Sequence, residues 1–212
     1  MIVISIITVE REYGSGGAGI AQKLSERLGW KLWDRELTCA IARLAKVDTA
    51  VVERREERCD RLFYRLGKVF LRGSFERAMP LSGLEHLDAD SMVDLIQRVT
   101  EEAAATGKCV IVGRGSPYFL RHHQDAFHVF IYAPQADKVR RVQAAGKSEA
   151  EAFELVETVD RERAAFIKRY FGKEWPNRYL YHMMINSKVG EDLVVEMILG
   201  EIAALDRRSA AK

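Results

Sequence analysis

Cysteine, proline and long apolar runs are all scarce in this sequence, and each scarcity closes off a class of protein. Three cysteines, Cys39, Cys59 and Cys109, stand far apart in 212 residues. They form no CxxC pair and no Cys/His cluster, so neither a disulfide framework nor a zinc site is expected, and a reducing cytoplasm suits the chain. Cys109 heads an apolar run and reads as a small buried hydrophobe. Only four prolines occur, and no low-complexity tract or linker accompanies them. No stretch reaches the roughly 18 apolar residues a membrane-spanning helix needs. The opening MIVISIITVERE runs into charge rather than a small-residue cleavage site, unlike a secretory leader. A dominant sign of charge is missing as well. The 33 Lys and Arg against 31 Asp and Glu leave +2, no field for capturing nucleic acid. Even the arginine-rich stretch 54–77 mixes both signs, as solvated helices do.

What is present is a set of short apolar runs alternating with helical patterns. Residues 2–9 (IVISIITV), 30–33 (WKLW), 109–113 (CVIVG), 128–132 (HVFIY) and 182–186 (HMMIN) are rich in β-branched and aromatic side chains. Without polar alternation they read as strands buried on both faces of a parallel sheet. Helices are expected at about 18–28 (Ile20, Leu24 and Leu28 on one face, Gly29 at the end), 92–105, 135–145, 149–171 and 191–205. Ser91-x-x-Asp94 and Ser148-x-x-Glu151 are capping-box patterns for the second and fourth of these. Helical spacing also dominates from about 35 to 106, broken at Gly73, Pro80 and Gly83. The class is α/β with helices on both sheet faces, in one 212-residue domain.

Between the first strand and the first helix lies Tyr13-Gly14-Ser15-Gly16-Gly17. A phosphate-binding turn needs glycines to reach positive φ and to let an anion approach the backbone N–H groups. The following helix adds free N–H groups and the positive end of its dipole. A tight strand-to-helix turn with no ligand would use the same residues.

The segments EREYGSGGAGIAQKL, LWDREL, VIVGRGSPYFL, TVDRERAAFIKRYFGKEW and YHMMINS occur in that order over residues 4–200. Together they resemble the cytidylate kinase-like family, relatives of cytidylate kinase among the P-loop nucleoside monophosphate kinases. The resemblance implies a P-loop NTPase-type three-layer sandwich with five parallel strands ordered 2-3-1-4-5. It also implies a helical acceptor-side insertion at about 35–106 and a helical lid at about 146–175. The implied reaction moves the γ-phosphoryl of ATP, with Mg2+, to CMP or dCMP. By the same resemblance Tyr13, Gly14, Ser15, Gly16 and Gly17 hold phosphate, while Asp34, Arg35 and Arg114 face the acceptor. Asp160, Arg161 and Arg163 belong to the lid, and Arg140 or Arg141 packs against adenine.

The turn departs from the usual pattern. In P-loop kinases a lysine follows the last glycine and bridges the β- and γ-phosphates, and a hydroxyl holds Mg2+. Aligned on Gly14-Ser15-Gly16, the lysine position is Gly17, Ala18 and Gly19 behind it carry no hydroxyl, and the loop's first glycine is Arg11. Ala40 stands where cytidylate kinases carry an arginine, and Tyr132 closes the fourth strand where an acid is common. Transfer needs positive charge near the donor phosphates. Arg11 is the catalytic candidate to replace it, with Lys23 and Arg35 as alternatives. The other reading is a catalytically weak nucleotide-binding module, a sensor or partner subunit. No Mg2+ ligand is identifiable from the sequence.

Overall fold

A computed structural model describes residues 3–34 and 89–210. In chain order the elements are β1 (Ile6–Arg11), α1 (Gly17–Leu28), β2 (Lys31–Trp33), α2 (Ala89–Ala105), β3 (Cys109–Val112) and α3 (Ser116–Phe119), followed by β4 (Ala126–Tyr132), α4 (Gln135–Ala144), α5 (Glu149–Phe171), β5 (Met183–Asn186) and α6 (Glu191–Ala210). A short 3-10 turn at Ser187–Val189 links the last two. All strand pairings are parallel, in the order β2-β3-β1-β4-β5 expected of a P-loop NTPase-type kinase.

The sheet is buried on both faces because its strands supply apolar side chains to each in turn. Ile6, Cys109 and Ile111 pack with Ile96, Val99 and Ala103 of α2 on one side. Ile7, Val9, Val110 and Val129 meet Ile20 and Leu24 of α1 and Val194 and Ile198 of α6 on the other. Cys109 is fully buried, and burial pushes its thiol up to about 11, as expected of an inert core residue.

Several boundaries move. β1 begins at Ile6 rather than residue 2, because its neighbours β3 and β4 start only opposite Ile6. It runs on through Glu10 and Arg11, which stand at the carboxyl edge of the sheet, Glu10 buried there. Among the described residues α2 covers Ala89–Ala105, so Ser91 lies within the helix and not at its N-cap position. Ser148 does cap α5, with the reciprocal Glu151 bond in place, and Gly29 ends α1 with φ of +64°. α6 extends to Ala210, beyond the expected 205. α3, directly after the GRG turn, was not anticipated: a four-residue helix lacks a periodic signal. The helical region expected over 35–88, with Arg35, Cys39, Ala40 and Cys59, lies outside the described residues.

One buried polar pair crosses the sheet centre. Thr8 Oγ1 and His128 Nδ1 are 2.8 Å apart, and His182 Nδ1 accepts from the His128 N–H at 2.9 Å. Burial, helped by His182, lowers His128 to about 4. The folded state therefore binds fewer protons than the unfolded chain between pH 6.5 and about 4. Stability contributed by neutral His128 is present above pH 6.5 and fades as pH falls, by at most about 3 kcal/mol. Thermal melts from pH 7.5 to 4.5 should show this slope. A Thr8→Val/His128→Phe variant, which removes both partners, should flatten it, and an unaltered slope would assign the acid lability elsewhere.

Candidate active site

The glycine turn sits between β1 and α1 as the sequence requires. Gly14 and Gly16 adopt φ of +74° and +82°, and Gly16 is the N-cap of α1 without a side-chain cap bond. Ser15 is buried and holds the turn together. Its hydroxyl donates to the Glu12 carbonyl at 2.8 Å, and its own carbonyl accepts from Ser187 Oγ at 2.5 Å. A Cβ on Gly14 would lie 2.8 Å from the Lys138 carbonyl, so α4 packs backbone against the turn.

A charged latch ties α5 to this turn. Asp160 Oδ1 accepts from the Tyr13 N–H at 2.7 Å. Lys138 Nζ lies 3.2 Å from Asp160 Oδ2 and 3.0 Å from Glu12 Oε2. Arg163 Nη1 donates to the Arg11 carbonyl at 2.7 Å and to Asp160 Oδ1 at 3.3 Å. Burial raises the Asp160 carboxyl, against the pull of the Tyr13 bond, Arg163 and Lys138. Burial likewise lowers Arg163, to about 10, with Arg11 pushing the same way. Of the two expected lid arginines, Arg163 thus reaches the site. Arg161 is exposed, with Nη2 3.5 Å from Thr158 Oγ1.

The two adenine-side candidates separate in the same way. Arg140 is 76% exposed and pairs with Asp137. Arg141 Nη1 reaches the Gly14 carbonyl at 3.3 Å and its Nη2 the Ser187 carbonyl at 3.4 Å. Lys23 is engaged by Glu191 and Asp192 at the start of α6, at 3.2 and 2.8 Å.

The opposite edge is built by β1, β3 and the end of β2. Gly113, Arg114 and Gly115 take φ of +66°, +60° and +70° in succession. Holding a non-glycine residue there costs about 1–2 kcal/mol. The fold bears that cost and holds Arg114 where its charge acts on Glu10 and Arg163. Arg11 Nη2 lies 3.9 Å from Asp34 Oδ1. Glu10, a residue the sequence reading passed over, is 3% exposed, and its Oε2 has no hydrogen-bond partner. Burial raises its carboxyl, opposed by Arg11, Arg163 and Arg114. The phenols of Tyr118 and Tyr181 lie near enough for Glu10 to act on both; burial pushes Tyr118 to about 12 and raises Tyr181 further. The available signal was an acidic residue ending a strand that is otherwise apolar on both faces.

The turn does not fit a Mg2+ ion in the usual way. Ser15 Oγ is spent on Glu12, neither Ala18 nor Gly19 carries a hydroxyl, and Glu191 Oε2 stands 3.2 Å from where a Cβ at 19 would be. Among the described residues no group of three acidic, His or Cys side chains could hold a metal. No helix among them is long and apolar enough to cross a membrane.

Comparison with known proteins bears on the fold and on the family. A cytidylate kinase from Methanosarcina mazei is 27% identical over 127 residues, 58% of this chain and 71% of that one. A crystal structure of an uncharacterised protein from Eubacterium ventriosum superposes with a TM-score of 0.65 at 21% identity, covering 96% of this chain and 99% of that one. Shikimate kinase from Acinetobacter baumannii, in complex with shikimate, gives 0.51 at 15% identity over 95% and 94% of the two chains. At such identities these structures establish the fold alone. The sequence matches the cytidylate kinase-like family over residues 6–189, most of its length, and the chain belongs to that family.

Proposed function

We propose that this protein is a nucleoside monophosphate kinase that moves the γ-phosphoryl of ATP to CMP or dCMP in the cytoplasm. The observation that carries the reading is the placement of two polar edges on either side of the carboxyl end of β1. Ligands of open α/β sheets bind at that end. On the β4–β5 side are the glycine turn and Arg141, suited to the donor phosphates. On the β3–β2 side are Arg114 and Asp34, suited to the acceptor. Arg163 stands between them, bonded to the β1 backbone.

In the transfer, an acceptor phosphate oxygen attacks the γ-phosphorus while the bond to the β-phosphate oxygen breaks, releasing ADP and a nucleoside diphosphate. Such chemistry asks the protein for alignment, charge neutralisation and exclusion of water. Uncapped N–H groups of α1 orient the donor, and Arg163 neutralises charge on the group in flight. Within one functional unit, the stretch of about 35–106 is read as the acceptor-side insertion and about 146–175 as the lid. The family relative named cytidylate kinase supports the cytidine choice.

A second reading is favoured by one contact. Arg11 Cβ fills the space beside Gly17, so no lysine stem can enter the turn, and a slow or inactive nucleotide-binding module would follow. A panel of nucleoside monophosphates with ATP and Mg2+ separates the two, read for diphosphate formation and for thermal stabilisation. Turnover with a cytidine acceptor supports the kinase; stabilisation without turnover supports the module. Gly16→Ala tests the turn itself. At φ of +82° it costs about 1–2 kcal/mol, the flexible Glu191 carboxylate can move aside, and ATP-dependent stabilisation should vanish from a protein that still melts cooperatively. Undiminished stabilisation by ATP would remove the turn from the binding site.

A further inference from the structure

The missing lysine makes Arg11 look like a donor-side substitute, yet its side chain leads the other way. Its Cβ and Cγ lie against the start of α1, 2.6 and 2.9 Å from where a Cβ on Gly17 would stand. From there the chain crosses toward β3. Nη1 lies 1.9 Å from the position a Cβ would take on Gly113, so the guanidinium rests directly on that glycine. Nη2 ends 3.9 Å from Asp34, at the end of β2.

The strand order gives this path its meaning. In β2-β3-β1-β4-β5, moving from β1 to β3 and β2 leads away from Lys138, Arg141 and Ser187, which surround the glycine turn on the β4–β5 side. The side chain is 13% exposed, so its charge is partly stripped of water and acts at short range. Asp34 holds it at a distance longer than a hydrogen bond, and Glu10 Oε1 lies 3.7 Å from the same Gly113 Cβ position. A planar fork held by charge, with its donors not locked into a bidentate bond to Asp34, matches the geometry of a phosphate group.

We propose that Arg11 is an acceptor-site ligand whose guanidinium, beside Arg114, binds the phosphate of the incoming nucleoside monophosphate. This rests on the kinase reading above and changes the account of the altered turn. The positive charge absent at Gly17 is not restored on the donor; an additional cation is placed on the acceptor. Gly17 and Gly113 are then glycine for one reason, since each lacks a Cβ where Arg11 must pass. The assignment makes the site selective for acceptors that already carry a phosphate over neutral alcohols.

Calorimetric titration tests it without turnover, with CMP alone and with the nonhydrolysable ATP analogue AMPPNP alone. Arg11→Lys keeps charge and stem but loses the fork, and Arg11→Gln keeps the packing against Gly17 without charge; circular dichroism melts confirm that each is folded. CMP affinity should fall about tenfold or more in both variants, with AMPPNP affinity within about twofold of wild type. Equal weakening of both ligands, or loss confined to AMPPNP, overturns the assignment. A wild type that binds CMP and an Arg11→Lys protein that binds it equally well overturn it alone. A wild type that binds no nucleoside monophosphate brings down the kinase reading and the assignment together.

Discussion

Arg163→Met should lower the melting temperature by roughly 10 °C and abolish most of the proposed transfer activity. The side chain is the hub of the latch, bonded to the Arg11 carbonyl and Asp160, with Glu10 within electrostatic reach. Removing it takes one cation from two carboxylates, leaving Lys138 to Asp160 and Arg11 and Arg114 to Glu10. Breaking a buried pair in this way costs about 3–5 kcal/mol, and a domain of this size loses roughly 2–4 °C per kcal/mol. The pH dependence carries a sign that a simple packing defect would not. Asp160 and Glu10 already have raised carboxyls, and without Arg163 they rise further. A raised acid pKa means the folded state binds more protons than the unfolded one, so the deficit grows with pH and shrinks as pH falls toward 5. Melts of wild type and variant across that range measure it. A pH-independent deficit, or a loss under about 2 °C, would mean that Arg163 is solvated and carries no latch. Asp160→Asn added to Arg163→Met should recover part of the loss, since the charge that Arg163 helped to balance is gone.

Gly17→Lys, which restores the ordinary phosphate-loop residue, should damage this protein instead of improving it. A Cβ there meets Arg11 Cβ at 2.6 Å and Cγ at 2.9 Å. These atoms sit at the rigid base of the side chain and cannot swing away, so the change costs about 3 kcal/mol of overpacking. Arg11→Gly in the same protein vacates that space. Measured against Arg11→Gly alone, the added Gly17→Lys should then cost less than about 1 kcal/mol, a coupling far beyond additivity. Denaturant unfolding of the four proteins in the cycle reads the effect directly. Additive losses would show that positions 11 and 17 do not share the space. The exchange also explains why the glycine and the arginine occur together: either arrangement fits the turn, and a mixture of the two does not.

Legibility differed from element to element for identifiable reasons. Parallel strands buried on both faces advertise themselves as continuous apolar runs, so the five strands and their class were readable, while their ends were set by where neighbouring strands begin. Ser148 announced α5 through a local capping bond, whereas the Ser91 pattern, equally good on paper, fell inside a helix. Side-chain destinations were harder. Arg140 and Arg141 are adjacent and chemically identical, as are Arg161 and Arg163 in kind. Only the rotation of each helix against the sheet turns one of each pair inward and the other to solvent.

By itself the sequence determined what local chemistry dictates: the buried parallel strands, the glycines that permit a left-handed turn, the family, and the loss of the turn's lysine and hydroxyl. The tertiary structure alone decided which charges converge. Glu10 reads as the polar end of a strand until β3, α3 and α5 bury it among three arginines. Arg11 reads as a donor-side cation until Asp34 and Gly113, 79 residues apart in the chain, open its path toward the β3–β2 edge. Composition and periodicity record the backbone's preferences one residue at a time, whereas a buried charge takes its partners from the elements the sheet order brings beside it.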